Sequence, residues 1–305
     1  MQQNVSAVRL ATQIENSVMS FTSRSAMGAT RATQRGAAMG HVVVFGNQKG
    51  GVGKSTLSVL YALWLSDVHR QSVCVIDLDT QGNASRTLRG FDAGMLAVDL
   101  FAGAATAAMA PMRATASQRP IVLIAASKKL ADVELAKPET VVPAFRRSVA
   151  QLVQHFDAVV MDTPPALGLR MSAALIAATR VVCPVELEEY SIDGVTDMLK
   201  TIFGIRRRYN PKLELAGILL NRFNAHSMRQ KAAIQQLASR YPDFVVPARI
   251  STRSAIPEAL AEGKAVWELA RSSAREASAE LKQAFMLLQS RIDAPQQVVS
   301  REVAV

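Results

Sequence analysis

A glycine-rich segment with two lysines follows the apolar run His41–Phe45 and reads QKGGVGKST over residues 48–56. Glycines leave backbone N–H groups free to converge on phosphate oxygens, and a lysine placed after them can reach the β- and γ-phosphates of a nucleotide. We therefore predict a phosphate-binding loop in which Lys54 contacts the phosphates and the Ser55 hydroxyl binds Mg²⁺. The residues of this predicted nucleotide-binding segment are Lys49, Gly50, Gly51, Val52, Gly53, Lys54, Ser55 and Thr56.

Two further segments end in aspartates that could serve the same nucleotide. The first, VCVIDLDTQGN (residues 73–83), is an apolar strand pattern that ends in Asp77 and Asp79, and the second, FDAVVMDTPP (156–165), contains a strand pattern that ends in Asp162. The carboxyl ends of strands in an open parallel sheet meet at one edge, so we expect these carboxylates beside the glycine-rich loop. An Asp-x-Asp pair by itself is also typical of a solvated strand end, but three motifs in this order favour a nucleotide site.

The glycine-rich segment departs from the ordinary G-x-x-x-x-G-K-[ST] pattern, because Gln48 occupies the first glycine position and an additional lysine, Lys49, follows it. The variant K-G-G-x-x-K-[ST] resembles the deviant Walker A box of the ParA/MinD family of ATPases. The resemblance implies that ATP and Mg²⁺ are the cofactors. It also implies that Lys49 reaches across the interface of an ATP-dependent homodimer to the nucleotide of the partner.

The two aspartate motifs resemble the same family. Residues 77–83 are similar to its D-x-D-P-Q-G-N segment, with Thr80 in place of the proline, which implies that Asp79 orients the attacking water and Asp77 supports the Mg²⁺ shell. Asp162 would take the Walker B role, and the Thr-Pro-Pro after it resembles the second switch segment. The resemblance thus assigns catalysis to Lys49, Lys54 and Asp79, and metal binding to Ser55, Asp77 and Asp162.

A looser resemblance extends into the second half of the chain. Asn221 and Arg222 follow a predicted strand, at the position where relatives contact adenine, and residues 247–268 resemble the loop that closes over the base. In chromosomal ParA relatives, DNA-contacting arginines lie near what are here His226 and Ala255. Neither position is an arginine in this chain, so the individual DNA contacts do not carry over.

From His41 onward, short apolar runs alternate with longer helical patterns, which predicts an α/β fold with an open, mostly parallel sheet and helices on both faces. With 305 residues and 49% hydrophobic content, we expect one domain over residues 41–293, preceded by a flexible extension (1–40) and followed by a tail (294–305). The predicted strands are 41–45, 73–77, 121–125, 158–162, 180–183, 215–220 and 244–246, and the last helix is predicted over about 273–292.

Membrane association and metal-cysteine chemistry are not favoured by this sequence. No apolar run approaches the roughly 18 residues that a bilayer crossing requires, and the tail after residue 294 has a proline and a single basic residue, which makes a poor membrane anchor. Two cysteines without a C-x-x-C spacing support neither a disulfide framework nor a zinc site. We therefore expect a cytoplasmic protein without a membrane partner, and the resemblance to the ParA/MinD family implies that it associates with the nucleoid.

The net charge of +10 is concentrated in one stretch. Residues 200–253 contain eleven basic and two acidic residues, which suggests a polyanionic partner, with nucleic acid as the leading candidate. The predicted DNA-binding residues are Arg206, Arg207, Arg208, Arg229, Arg249 and Arg253. A set of solvated helix faces would show the same composition, and this alternative stays open.

The resemblance to the ParA/MinD family implies a slow, Mg²⁺-dependent ATPase that forms an ATP sandwich dimer, binds DNA without sequence preference and segregates plasmid or chromosomal DNA. A ParB-like centromere-binding protein would stimulate hydrolysis. One alternative keeps the ATPase but replaces the cargo with a protein assembly. Another is a DNA-bound repressor of its own operon, for which 40 residues before the ATPase domain are too few to pack a DNA-reading domain.

Overall fold

The computed structural model describes residues 40–104, 120–187 and 191–294. Most of the predicted extension (1–40) lies outside the described residues, and so does the predicted tail after Ala294. The described residues include no helix that is long and apolar enough to cross a membrane.

Eight parallel strands form one sheet in the described part of the chain, as the alternating pattern predicts. Their order across the sheet is β3-β4-β2-β5-β1-β6-β7-β8, so the first strand lies in the interior. The strands are β1 (His41–Phe45), β2 (Val73–Asp77), β3 (Asp92–Leu96), β4 (Ile121–Ala125), β5 (Ala158–Asp162), β6 (Arg180–Glu186), β7 (Glu214–Phe223) and β8 (Val245–Ser251).

Helices connect the strands and cover both faces of the sheet, as parallel crossovers require. The α-helices are α1 (Lys54–His69), α2 (Asn83–Thr87), α3 (Pro138–Leu152), α4 (Leu169–Ala177), α5 (Ser191–Arg208), α6 (Met228–Arg240), α7 (Ala255–Ala261) and α8 (Ser272–Asp293). Short 3₁₀ segments occupy Arg89–Phe91, Ala97–Ala102, Lys128–Leu135 and Val266–Glu268.

Alternate residues of each strand supply the two cores. Val42 and Val44 of β1 pack into the core beneath α3 to α6, whereas Val43 and Phe45 pack into the core beneath α1, α7 and α8. Because both faces are covered, the central strands read as continuous apolar runs, which is why the sequence pattern identified them. Cys74 and Cys183 are buried free thiols in these strands.

The predicted strand set needs three corrections. The edge strand β3 was missed, because its sequence DAGML contains an aspartate and a glycine and has little β-forming character. At the other edge, β8 runs through Pro247 to Ser251, so part of the stretch predicted as a loop over the base is strand; an edge strand tolerates proline. Both β6 and β7 extend three residues past the predicted ends, to Glu186 and Phe223.

Candidate functional site

The strand register brings the three sequence motifs together on the side of the sheet where the carboxyl ends of the parallel strands lie, which we call the carboxyl edge. β5 lies between β1 and β2, and Asp162 at its tip is paired in register with Phe45 on one side and with Asp77 on the other. The glycine-rich loop leaves β1 directly after Phe45. Motifs that are separated by up to about a hundred residues of sequence therefore meet at three adjacent strand ends.

The glycine-rich loop adopts a conformation that requires glycine at two positions. Gly51 and Gly53 have φ angles of +79° and +91°, in the left-handed region that favours glycine. A Cβ on Gly53 would also collide with the Asn221 Nδ2 atom. That amide nitrogen donates a hydrogen bond to the Val52 carbonyl oxygen at 2.9 Å, so the side chain of a neighbouring strand supports the loop.

Other contacts fix the start of the loop. Asn47 donates from Nδ2 to the Pro184 carbonyl oxygen at 2.7 Å and accepts from the Lys49 N–H at 3.0 Å. The buried Thr163 hydroxyl, next to Asp162, donates to the Phe45 carbonyl oxygen at 2.8 Å. The loop is therefore tied to β6 and to the segment after β5 before any nucleotide contact is considered.

Lys54 opens helix α1 and is buried at 7% exposure. Its ammonium group donates to the Lys49 carbonyl oxygen at 2.9 Å. Burial lowers the Lys54 pKa, whereas the negative charges of Asp162 and Asp79 raise it. The cation is thus placed between the loop backbone and the two carboxylates, while Lys49 itself is exposed at the surface of the loop.

Asp77 is fully buried, and its carboxylate is oriented by backbone and hydroxyl donors. One oxygen accepts the Asp79 N–H at 3.1 Å, and the other accepts the Ser85 N–H and the Ser85 hydroxyl, both at 2.7 Å. Burial raises the Asp77 pKa, and the hydrogen bonds from Ser85 oppose this shift. Asp77 therefore organises the segment that leads to Asp79 as well as facing the site.

Asp162 differs from Asp77 in that its carboxylate lacks hydrogen-bond donors among the described residues. It is fully buried, and neither carboxylate oxygen makes a hydrogen bond to another described residue. Its pKa is raised well above the usual range, first by burial and then by the charge of Asp77, and the Ser55 hydroxyl and Lys54 offset part of this effect. A buried carboxylate without a partner is costly unless a cation or water completes it.

These residues fit a magnesium ion bound together with a nucleotide. The described residues contain no cluster of three or more His, Cys, Asp or Glu side chains that could hold a metal ion by themselves. Mg²⁺ in nucleotide sites is usually held by one or two protein oxygens, phosphates and waters. The unpartnered Asp162 carboxylate beside the Ser55 hydroxyl is a donor set of this kind.

Asp79 lies beyond the tip of β2 and is 9% exposed. Its Oδ1 accepts the Gln81 N–H at 3.0 Å, and its carbonyl oxygen accepts the Gly82 N–H at 2.9 Å. This turn forms with Thr80 in place of proline, so the substitution leaves a closed turn. The carboxylate is close enough to Lys54 to raise the pKa of that ammonium.

The two residues predicted to contact adenine lie inside β7 rather than after it, which corrects their placement. Asn221 is buried against the phosphate-binding loop. Arg222 has a positive φ of 53° and is exposed, with Nη1 3.4 Å from a carboxylate oxygen of Glu186. The structure therefore gives Asn221 a supporting contact with the loop that its sequence position did not indicate.

The predicted DNA-binding arginines divide between opposite edges of the sheet. Helix α5 runs back from the carboxyl edge towards the amino edge, the side of the sheet where the strands begin. Its last turn, with Arg206, Arg207 and Arg208, therefore lies at the amino edge, and Arg207 and Arg208 are exposed. Arg229 is in the first turn of α6 and Arg249 is near the end of β8, so both lie on the side of the sheet where the strands end. The basic stretch therefore forms two groups rather than one.

Arg249 and Arg253 differ in how their charges are used. The Arg249 guanidinium is exposed and lies 4.5 Å from the centre of the Phe223 ring. Arg253 forms ion pairs with Glu276 and with Glu280, the second at 2.9 Å, and is 26% exposed. Neutralisation by two carboxylates leaves Arg253 less charge to offer a phosphate.

Asn47, Ser85 and Thr163 also organise the site, although the sequence pattern predicted none of their contacts. Each is a small polar residue next to a recognised motif. Asn47 directly precedes the glycine-rich segment and Thr163 directly follows Asp162, and such residues commonly bond to nearby backbone. That position was the available signal, although it does not identify their partners.

Comparison with known proteins agrees with this geometry. A family model described as an AAA domain matches residues 40–215. The protein IncC of Escherichia coli is 35% identical over 259 residues, which cover 85% of this chain and 72% of IncC. The chain belongs to the ParA/MinD family of P-loop partition ATPases.

One further sequence relative and one solved structure are also similar to this chain. The sporulation initiation inhibitor protein Soj of Bacillus subtilis is 28% identical over 230 residues, which cover 75% of this chain and 90% of Soj. The crystal structure of cobyrinic acid a,c-diamide synthase from Mycobacterium smegmatis, with a bound ATP analogue and magnesium, superposes with a TM-score of 0.65 at 25% identity. That match covers 84% of this chain and 97% of the synthase.

Proposed function

We propose that this ParA-type protein is a Mg²⁺-dependent ATPase that closes an ATP sandwich dimer, binds DNA without sequence preference and segregates plasmid or chromosomal DNA. A ParB-like centromere-binding protein stimulates hydrolysis and releases the dimer from DNA on the nucleoid. The convergence of Lys54, Asp79 and the unpartnered Asp162 at adjacent strand ends is the observation that carries the ATPase part of the proposal.

Each residue of the site has a role that its surroundings support. The glycine-rich loop offers N–H groups to the phosphates, and Lys54 neutralises negative charge on them. Ser55 and Asp162 hold Mg²⁺, which neutralises phosphate charge when bound, and Asp77 supports that shell from the neighbouring strand tip. Asp79, held in its turn at the carboxyl edge, orients the attacking water.

Lys49 acts in trans in this proposal. It is exposed on the loop, whereas Lys54 is buried within it, so the two lysines face different surroundings. A cation placed at the phosphates of the partner subunit would stabilise transition-state charge, as an arginine finger does. Dimerisation is then a condition for hydrolysis, and turnover is slow in the monomer.

The Lys49→Gln variant tests the dimer part of the proposal. It should bind ATP as a monomer with unchanged affinity, but it should neither dimerise with a non-hydrolysable ATP analogue nor hydrolyse ATP. Sedimentation of the wild type and the variant with the analogue measures this directly. Normal dimerisation together with full stimulated turnover would remove the trans role.

The test of the whole function is ATP turnover measured for the protein alone, with DNA, and with the product of the neighbouring gene. Turnover should be slow alone and should rise when DNA and a centromere-binding neighbour are both present. ATP-dependent retention on DNA of several unrelated sequences should be equal. Stimulation by a neighbour that binds a protein assembly, without DNA retention, would favour the cargo-positioning alternative.

A further inference from the structure

The peptide group that joins Leu78 to Asp79 is held at both ends. Its N–H, which belongs to Asp79, donates to the Asp77 carboxylate at 3.1 Å. Its carbonyl oxygen, which belongs to Leu78, accepts a hydrogen bond from Arg170 Nη1 at 2.9 Å. Because the peptide is planar, hydrogen bonds at both its donor and its acceptor restrain the orientation of the plane and the position of the Asp79 Cα.

Arg170 is in turn oriented by Glu134. The Arg170 Nε atom donates to one oxygen of the Glu134 carboxylate at 2.8 Å, and the other oxygen accepts the Leu169 N–H at 2.6 Å. The side chains of Arg170 and Glu134 are 11% and 31% exposed. Glu134 therefore caps the first turn of α4 and aligns the guanidinium that reaches Leu78.

Gly168 provides the space for this arrangement. A Cβ at this position would collide with the Glu134 carboxylate. The φ angle of Gly168 is −113°, which other residues adopt readily, so glycine matters here for the room that it leaves to the Glu134 carboxylate and not for backbone freedom. Any larger residue would displace the carboxylate from the helix start.

We propose that Arg170, oriented by Glu134, is a positioning residue that fixes the peptide carrying Asp79 and couples it to the start of α4. Helix α4 follows the Asp162-Thr-Pro-Pro segment, and the Leu78 N–H donates to the Asp162 carbonyl oxygen at 2.9 Å. The segment that carries Asp79 and the segment that follows Asp162 are therefore held in fixed positions relative to each other. This inference rests on the proposed function, in which Asp79 orients the attacking water.

The test compares Arg170→Leu with Arg291→Leu as a matched control. Arg291 also donates to backbone carbonyls, those of Phe244 and Val245 at 3.2 and 2.9 Å, but it lies at the amino edge, away from the nucleotide. We expect Arg170→Leu to lower kcat about 10- to 100-fold with ATP affinity changed less than about twofold, because misplacing a reacting group affects the chemical step. Arg291→Leu should leave kcat unchanged.

Amide hydrogen exchange gives a second readout that does not depend on turnover. In Arg170→Leu, exchange should accelerate within residues 77–82, while the rest of the sheet keeps its protection. In Arg291→Leu, this segment should stay protected. If wild-type protein shows no ATP turnover, the proposed function fails, and exchange in this segment still decides whether Arg170 holds it.

Two milder variants cover the case in which Arg170→Leu does not fold. Gly168→Ala displaces Glu134 while keeping Arg170, and Arg170→Lys keeps the charge but cannot reach Glu134 and Leu78 in the same fork geometry. Both should reduce kcat by less than Arg170→Leu, with unchanged ATP affinity and intermediate exchange rates in residues 77–82. Wild-type kcat and wild-type exchange in Gly168→Ala and Arg170→Lys would overturn the inference.

Discussion

The buried polar side chains at the carboxyl ends of the strands (the carboxyl edge) differ in their hydrogen bonding from those at the amino ends of the same strands (the amino edge). At the carboxyl edge, Asp162 is buried without a hydrogen bond to its side chain from any described residue. At the amino edge, Arg180 is also buried but has several partners: it pairs with Glu214 at 3.1 Å and donates to the carbonyl oxygens of Ile292 and Ala294 at 3.1 and 3.2 Å.

This difference separates the part of the fold that binds from the part that stabilises. A buried polar group without a partner costs free energy, and proteins retain such groups mainly where a ligand completes them. Arg180, a buried cation with several partners, instead connects the starts of β6 and β7 to the end of the last helix, α8. Substitutions at the two edges should therefore change different measured quantities.

The largest effect is expected at the carboxyl edge, for Lys54→Ala. Charge-assisted hydrogen bonds to phosphate contribute roughly 1.5 to 3 kcal/mol each, and the loop that holds Mg²⁺ depends on the same residue. ATP binding, measured by calorimetry, should be abolished.

Asp79→Ala should instead keep ATP binding and block turnover, and an equal loss of ATP affinity in both variants would remove the water-orienting role of Asp79.

At the amino edge, Arg180→Leu should lower stability without changing ATP affinity. The variant leaves Glu214 without its buried partner and several carbonyl groups without a donor, which costs about 3 kcal/mol or more of unfolding free energy. Urea unfolding measures this loss, and calorimetry at a temperature where the variant is folded measures ATP binding. A large loss of ATP affinity in the folded variant would show that the two edges are not separable.

The carboxyl edge was largely predictable from the sequence, because its motifs end apolar strands. Continuous apolar runs located β1, β2 and β5, and parallel topology places their carboxyl ends together. The edge strand β3 was not predictable, since DAGML has neither alternation nor β-branched residues. Edge strands are less buried, and their sequences are correspondingly less constrained.

The contacts that refine the site could not be read from the sequence. The hydrogen bond from Arg170 to Leu78 joins residues 92 positions apart, and no local pattern specifies such a pair. The division of the basic stretch likewise depends on the direction of α5, which places Arg207 and Arg208 far from the loop although Asn221 follows soon after in sequence. Tertiary placement, and not composition, decides which charges share a surface.

The two arginine groups provide a third test of the comparison. ATP-dependent DNA binding should rely more on the carboxyl-edge pair, Arg229 and Arg249, because nucleotide binds at that edge. Replacing both with Glu should reduce DNA retention about tenfold at about 150 mM salt and flatten the log–log salt slope by about 0.9 for each phosphate that is no longer neutralised. ATP affinity should not change.

The amino-edge triple variant, with Glu at Arg206, Arg207 and Arg208, is the matched experiment. We expect a smaller loss of DNA retention than for the carboxyl-edge pair, again equal across DNA sequences. A larger loss in the triple variant would place the main DNA surface at the amino edge. Full retention in both variants would leave the basic stretch as a solvated surface and direct attention to the arginines before residue 40.

The smallest expected effect concerns His41, at the start of β1 on the amino edge, where its Nε2 lies 3.2 Å from an Asp293 carboxylate oxygen. Burial lowers the His41 pKa below its ordinary value of 6.5, although Asp293 opposes the shift. The unfolded chain therefore takes up the proton more readily, so this contribution to stability is complete above about pH 6.5 and is lost as the pH falls from there through the lower pKa of the folded protein. His41→Gln should remove a pH dependence of a few tenths of a kcal/mol, because the pair is partly exposed. Urea unfolding of both proteins at about pH 5.5 and about pH 7.5 measures it. A wild-type protein that gains stability relative to His41→Gln at the lower pH would show that Asp293 outweighs burial.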